Sequence, residues 1–101
     1  MKRYAFYYYG KTESLLDYYF ITLHFFAMKE LHLELNTCVL YSDTDDFYTG
    51  GMQLVNNIHN FDCLVVPSLK HFRDYDEICI ALSDNGIEII EALKEDTSFE
   101  Y

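Results

Sequence analysis

Arg3 to Tyr9 reads RYAFYYY, seven residues that are almost all aromatic or apolar and show no alternation with polar ones. A strand with one wet face repeats every two residues, so a run without that period fits a strand covered on both faces, as in the middle of a parallel sheet. The polar stretch Gly10-Lys11-Thr12-Glu13-Ser14 follows. Ser14 can cap a helix with Asp17 in its first turn, and Leu15, Leu16, Tyr19, Phe20, Leu23, Phe26, Ala27 and Leu31 then recur at helical spacing. The other side of this helix carries Tyr18, Ile21, Phe25 and Met28, more apolar surface than one sheet face covers. A second layer or a partner subunit is expected there, and these four residues are the candidates for an interaction surface.

Further along, Leu35 to Tyr41 (LNTCVLY) reads as a second strand that ends in a polar loop, Ser42 to Asp46. A short helix is expected from Gly51 to Asn60, with Leu54, Val55 and Ile58 inward. Cys63 to Val66 is the third strand, closed by Pro67, the only proline. Asp74 and Glu77 have the spacing of a capping box, and Tyr75, Ile78, Cys79 and Leu82 form the stripe of a third helix that stops at Asn85-Gly86. Ile87 to Ile90 is the fourth strand. The alternation βαβαβαβ, with right-handed crossovers, predicts an α/β three-layer sandwich around a mainly parallel four-stranded sheet of order 2-1-3-4, as in flavodoxin-like folds. Residues 1–93 are expected to form one domain, and 94–101 an acidic tail without apolar periodicity.

Composition narrows the function classes. Seven Lys plus Arg against seventeen Asp plus Glu give a formal net charge of -10 in 101 residues. That field repels phosphate backbones, so direct DNA binding is disfavoured, while a basic protein surface would be attracted. Cys38, Cys63 and Cys79 lie far apart in apolar stretches with no CxxC pair, as small core residues in a reducing compartment would. Asp17, His24, Lys29 and Glu30 interrupt the apolar run Leu15 to Leu33, which argues against a membrane span, and the polar 10–14 stretch argues against a signal peptide. A cytoplasmic protein is expected.

Three motifs bear on chemistry. Ala5 to Thr12 fits a relaxed phosphate-loop pattern, a small residue, four residues, then Gly-Lys-Thr. Phe6 and three tyrosines fill the interval, belong by composition to the strand, and would crowd a phosphate cradle. Asp43, Asp45 and Asp46 could hold a divalent cation after a strand, but the calcium-loop spacing fails, so a solvated loop is the expected state and no metal is expected. His24, His32, His59 and His71 occur singly, without a His-x-x-x-His pair. No cofactor is implied.

Phe61 to Ile90, FDCLVVPSLKHFRDYDEICIALSDNGIEII, resembles the part of serine recombinases (resolvases and invertases) in which D-x-L-V-V-x-x-L-D-R-L-x-R leads into a helix and a G-[VI]-x-[LI] strand. Asp62, Leu64, Val65, Val66, Leu69, Gly86 and Ile87 fall into step. Ala5 to Glu13 resembles the family's A-[IL]-Y-x-R-V-S-T-D, and Tyr41-Ser42-Asp43 followed by Gly50 resembles its Y-x-D … S-G segment. On that resemblance Lys11 stands at the serine nucleophile and Tyr9 at the preceding arginine, while Lys70 replaces the later aspartate and His71 its adjacent arginine. Met52 and Gln53 leave no arginine after Gly50, Arg73 lies one position before the motif's second arginine, and Asp43 is the one acidic position retained. Recombinases need the serine hydroxyl to attack a DNA phosphate and arginines to stabilise the charge that develops.

The resemblance therefore implies a catalytically inactive resolvase-like domain whose eroded site comprises Tyr9, Lys11, Asp43, Lys70 and His71. It would act as a protein-interaction or regulatory module, with a protein partner or a second copy of itself. The alternative is an acidic inhibitor or DNA mimic, from a phage or mobile element, that occupies a basic nucleic-acid-binding protein. Residual phosphate or nucleotide chemistry at Gly10-Lys11-Thr12 is the third reading, since a lysine can still hold an anion by charge alone.

Overall fold

Tyr4–Tyr9 forms the first strand, β1, and the alternation of its side chains shows why no polar residue interrupts it. Ala5 and Tyr7 enter one core, Phe6 the other, with Tyr8 packed against that second core. Both faces of the strand are covered, fully at Ala5, Phe6 and Tyr7 and partly at its ends, so both sets of positions favour apolar side chains. The structure is a computed structural model and describes residues 2–45, 49–68 and 75–93.

The elements after β1 are α1 (Glu13–Phe26), β2 (Val39–Asp43), α2 (Thr49–Asn56), β3 (Cys63–Val66), α3 (Tyr75–Asp84) and β4 (Glu88–Glu91). The four strands form one sheet of order β2-β1-β3-β4, and every pairing is parallel. This is the α/β architecture and strand order that the alternation of elements predicts. One face carries α1 over Phe6, Leu23, Ala27, Leu35 and Val65. The other carries α2 and α3 over Ala5, Tyr7, Leu54, Leu64, Ile78 and Leu82. At the amino ends of the strands, Asp62 accepts from the Arg3 backbone N–H at 2.8 Å and from its guanidinium at 3.2 and 3.3 Å, pinning the start of β1 to the start of β3. Gly86, at φ +70, ends α3 in the left-handed conformation that glycine adopts without strain.

Local expectations are corrected in four places. The cap of α1 is Thr12 and not Ser14: Thr12 is extended and its hydroxyl accepts from the Leu15 N–H at 3.2 Å, which draws Ser14 into the helix. The α-helix stops at Phe26 and continues as a π turn, Ala27–Leu31, closed by His32 at φ 59. The inward side chains Tyr19, Leu23 and Ala27, with Leu31 after them, recur every four residues, and on a 3.6-residue helix such a stripe drifts by about 40° per step. A wider turn offsets that drift and keeps Leu31 against the core.

Leu35–Thr37 is a 3-10 turn, so β2 begins at Val39 and not at Leu35. The Cys38 N–H and Thr37 N–H close that turn onto Leu35 and Glu34, and Leu35 is buried by the turn instead of by a ladder. Two residues of the expected polar loop, Ser42 and Asp43, are consequently the last of β2. The second helix is Thr49–Asn56, with Ile58–Asn60 a separate 3-10 turn. Lys70, His71, Arg73, Asp74, Leu69, Asp46, the side chain of Tyr75 and the 94–101 tail lie outside the described residues. Among the described residues no helix is long and apolar enough to cross a membrane.

Candidate functional site

Ligands in open parallel sheets bind at the carboxyl ends of the strands, beside the point where the chain order reverses, and here that point lies between β1 and β3 with β2 alongside. β1 and β2 end in register, Tyr9 opposite Asp43. The Gly10 N–H then donates to the Asp43 carbonyl at 3.2 Å, so the chain turns immediately into Lys11 and the Thr12 cap. Tyr9, Lys11 and Asp43 are therefore neighbours at this edge. Lys70 and His71, the other two positions of the proposed eroded site, are outside the described residues.

Asp43 is not part of a solvated loop, which corrects the reading of the Asp43, Asp45, Asp46 cluster. It is only 1% exposed. One carboxylate oxygen accepts from the Gly50 N–H at 2.6 Å, the other from the Gly51 N–H at 3.0 Å and from the Tyr7 hydroxyl at 2.7 Å. Gly50 and Gly51 lie in the first turn of α2, whose unpaired amides and dipole favour negative charge. A bound anion would occupy this position in a phosphate-binding α/β protein. Here the chain's own carboxylate fills it. Close approach requires the glycine: a Cβ on Gly50 would lie 2.3 Å from the Ser42 carbonyl oxygen and 2.9 Å from Asp43.

The remaining groups follow the same pattern. The Tyr9 hydroxyl donates to the Asp45 carboxylate. Phe6 to Tyr9, the interval of the relaxed phosphate-loop pattern, are strand residues, and the turn that follows is the three residues Gly10-Lys11-Thr12. Lys11 is exposed. Among the described residues no group of three His, Cys, Asp or Glu could hold a metal ion. Cys38, Cys63 and Cys79 form no disulfide. Burial, chiefly, and the neighbouring Glu88 push the Cys63 thiol up from its ordinary value, which keeps it protonated and poorly nucleophilic. Asp62 is held below the usual carboxylate range by the hydrogen bond from the Arg3 side chain, then by that from the Arg3 backbone N–H.

The second candidate surface is the outer side of α1. Tyr18, Ile21, Phe25 and Met28 are 45%, 51%, 57% and 47% exposed. Leu15 and Phe20, expected to face the sheet, are also exposed, because they lie to either side of the inward line of Tyr19, Leu23 and Ala27. The Phe20 ring lies at the margin, 6.5 Å from that of Tyr8. Six of the nine exposed large hydrophobic side chains among the described residues thus belong to α1 and the turn after it, and the rest, Val39, Met52 and Ile80, are on three other elements. A shallow groove between α2 and α3, about 230 Å³, is lined by Gly51, Met52, Val55, Asn56, Glu77 and Ile78.

The exposure of Tyr18, Ile21, Phe25 and Met28 follows from the sequence pattern, whereas the internal role of Asp43 does not. The signal was present as an aspartate ending one strand and a Gly-Gly pair opening the next helix. No family model, curated protein or solved structure matches the chain.

Proposed function

We propose that this chain is a non-catalytic, resolvase-like α/β domain that works by binding protein through the outer face of α1. The observation that carries the reading is the concentration of half-exposed Tyr18, Ile21, Phe25 and Met28 along α1 and the π turn that continues it. Contiguous apolar surface of this kind on a small domain marks an interaction site more often than it serves the monomer. The state of the strand ends supports the non-catalytic half of the proposal. The acidic group that the recombinase resemblance retains, Asp43, is consumed in holding α2, and Lys11 replaces the nucleophile with a group that cannot be phosphorylated in the same way.

Affinity capture from extract of the source cell tests this, with the full chain and an Ile21→Asp/Phe25→Asp variant compared quantitatively. A protein, the chain itself included, that is recovered with the parent and lost with the variant is the expected result. Equal recovery by both refutes docking through α1. Turnover of nucleotides or cleavage of DNA by the purified chain, lost on Lys11→Ala, would refute the non-catalytic reading.

A second reading draws on charge. Residues 11–31 carry Lys11 and Lys29 against Glu13, Asp17 and Glu30, a net of -1, so the other residues hold -9 of the total -10. An acidic inhibitor of a basic nucleic-acid-binding protein would use that remainder, and its complex would dissociate as salt rises. Recovery of a nucleic-acid-binding protein that is salt-sensitive and indifferent to the α1 variant distinguishes it.

A further inference from the structure

On α1 and the π turn that continues it, one line of exposed apolar residues is spaced three, four and three apart, Tyr18, Ile21, Phe25 and Met28, with Leu15 and Phe20 to its sides. That is the a/d rhythm of a helix whose seam faces another helix, and it differs from the four-residue rhythm of Tyr19, Leu23 and Ala27, which faces the sheet. One helix therefore carries two apolar lines on opposite sides, one already packed and one not. We infer that the occupant of the outer line is α1 of a second copy, packed antiparallel across a two-fold axis to give a homodimer; the inference rests on the interaction reading above and names its partner.

Three considerations select a second copy. The first is charge. At -10 the chain repels its own kind through most of its surface, but residues 11–31 are close to neutral, so apposing two α1 faces brings together the surfaces that repel least and directs the acidic remainder outward. A basic partner would be drawn to the remainder instead. The second is self-complementarity. Aligned antiparallel, Tyr18 meets Met28 of the other copy and Ile21 meets Phe25, large residue against medium at each level, as an isologous interface requires. The third is area. Side chains of this size bury about 200 Å² each when fully covered, so four at half exposure offer roughly 400 Å² per copy. With Leu15, Phe20 and the stem of Lys29 at the margins, the pair approaches the lower end of specific interfaces. A weak, concentration-dependent dimer is the result.

Sedimentation equilibrium of the purified full chain over a range of roughly 10 to 500 μM tests this, a window suited to a small interface. The expected weight-average mass rises from 12.0 kDa toward twice that value. Ile21→Asp and, as a milder change, Phe25→Ser each weaken the dimer at least about tenfold while circular dichroism and the thermal midpoint stay near those of the parent, since both positions are already half in water. For orientation, Tyr18→Cys of one copy and Met28→Cys of another, mixed under mild oxidation, cross-link to each other more than either does to itself. A parent that stays at 12.0 kDa throughout, or a dimer that Ile21→Asp leaves intact, overturns the self-pair. A dimer in which Tyr18→Cys cross-links to itself instead overturns the antiparallel arrangement. A strictly monomeric parent whose capture of a different protein still depends on Ile21 and Phe25 overturns this inference and leaves the interaction reading standing.

Discussion

Replacing Asp43 tests the claim that the strand ends are held together from within. Its carboxylate accepts three hydrogen bonds, from the Gly50 N–H, the Gly51 N–H and the Tyr7 hydroxyl, at 2.6, 3.0 and 2.7 Å, in a position 1% exposed. Hydrogen bonds to an ionised group contribute about 1.5–3 kcal/mol each, and a buried donor stripped of its acceptor costs about 1–3 kcal/mol. Asp43→Ala strips three donors and removes negative charge from the α2 N-terminus, so with partial refilling by water the loss is about 4 kcal/mol. A domain of this length has a total of about 5–15 kcal/mol, so the alanine variant is close to unfolding at room temperature. Asp43→Asn keeps the shape but turns an amide NH₂ toward one backbone N–H. The tyrosine hydroxyl can reverse its role and accept, and the loss is about 2 kcal/mol. Urea unfolding followed by circular dichroism at neutral pH measures both, with Asp45→Ala as the exposed control, expected within about 1 kcal/mol of the parent. If Asp43→Ala lowers the unfolding free energy by less than about 1 kcal/mol, the carboxylate does not anchor α2 and the internal-anion account is wrong.

Other substitutions probe neighbouring features. Gly50→Ala places a Cβ 2.3 Å from the Ser42 carbonyl oxygen, a backbone atom that cannot step aside, and should cost about 3 kcal/mol in the same assay. Gly51→Ala crowds the flexible Ile78 Cδ1 tip at 2.8 Å, with Asp43 Oδ2 at an ordinary 3.4 Å, and should cost about 1 kcal/mol, so a reversed order would contradict the packing of α2. His32→Gly releases a side chain from φ 59 and should stabilise by about 0.5–1 kcal/mol, and a loss of stability would refute the strain at this position. Because the folded-state pKa of Asp62 lies below the ordinary 3.8, its stabilisation is complete above that value and disappears as the pH falls through the lowered one. The stability gap between the parent and Asp62→Asn should accordingly close on acidification below about pH 3.8, and a gap independent of pH would refute the Arg3 pairing. Cys63, buried and with a raised pKa, should react with a disulfide reagent at neutral pH far more slowly than Cys38 and only on unfolding.

What the sequence discloses depends on whether the cause is local. RYAFYYY reads as a two-faced strand because after Arg3 no charged residue alternates with the apolar ones, and the sheet order follows from connection rules once four strands alternate with helices. LNTCVLY shows the opposite case. Its apolar positions satisfy a strand period, yet Glu34 and Leu35 carbonyls accept from Thr37 and Cys38, and the 3-10 turn buries Leu35 just as well. Periodicity records burial, not the backbone that achieves it. Asp43 reads as a loop acid because two of its partners, Gly50 and Gly51, seven and eight residues on, reach it through backbone groups that leave no mark in the pattern of side chains, and the third, the Tyr7 hydroxyl, is 36 residues away on another strand. The surplus on α1 was legible because too many apolar residues for one face is a matter of counting. Its three-and-four rhythm gained meaning only when the inward line was known to be Tyr19, Leu23 and Ala27.

The placement of β1 between β2 and β3 also constrains how the chain can be made. An all-parallel sheet has no hairpin, so the aromatic strand synthesised first has no neighbour until Val39 to Asp43 is out, and its second edge stays open until Cys63 to Val66 follows. At about 5–20 residues per second that wait lasts several seconds on the ribosome. During it, an uncharged run of high β-propensity is exposed with both edges open, the composition most ready to pair with its like in another nascent chain. Yield on expression should therefore respond to translation speed between Gly10 and Val66, and to charge placed at the ends of β1, more than to the final stability of the fold.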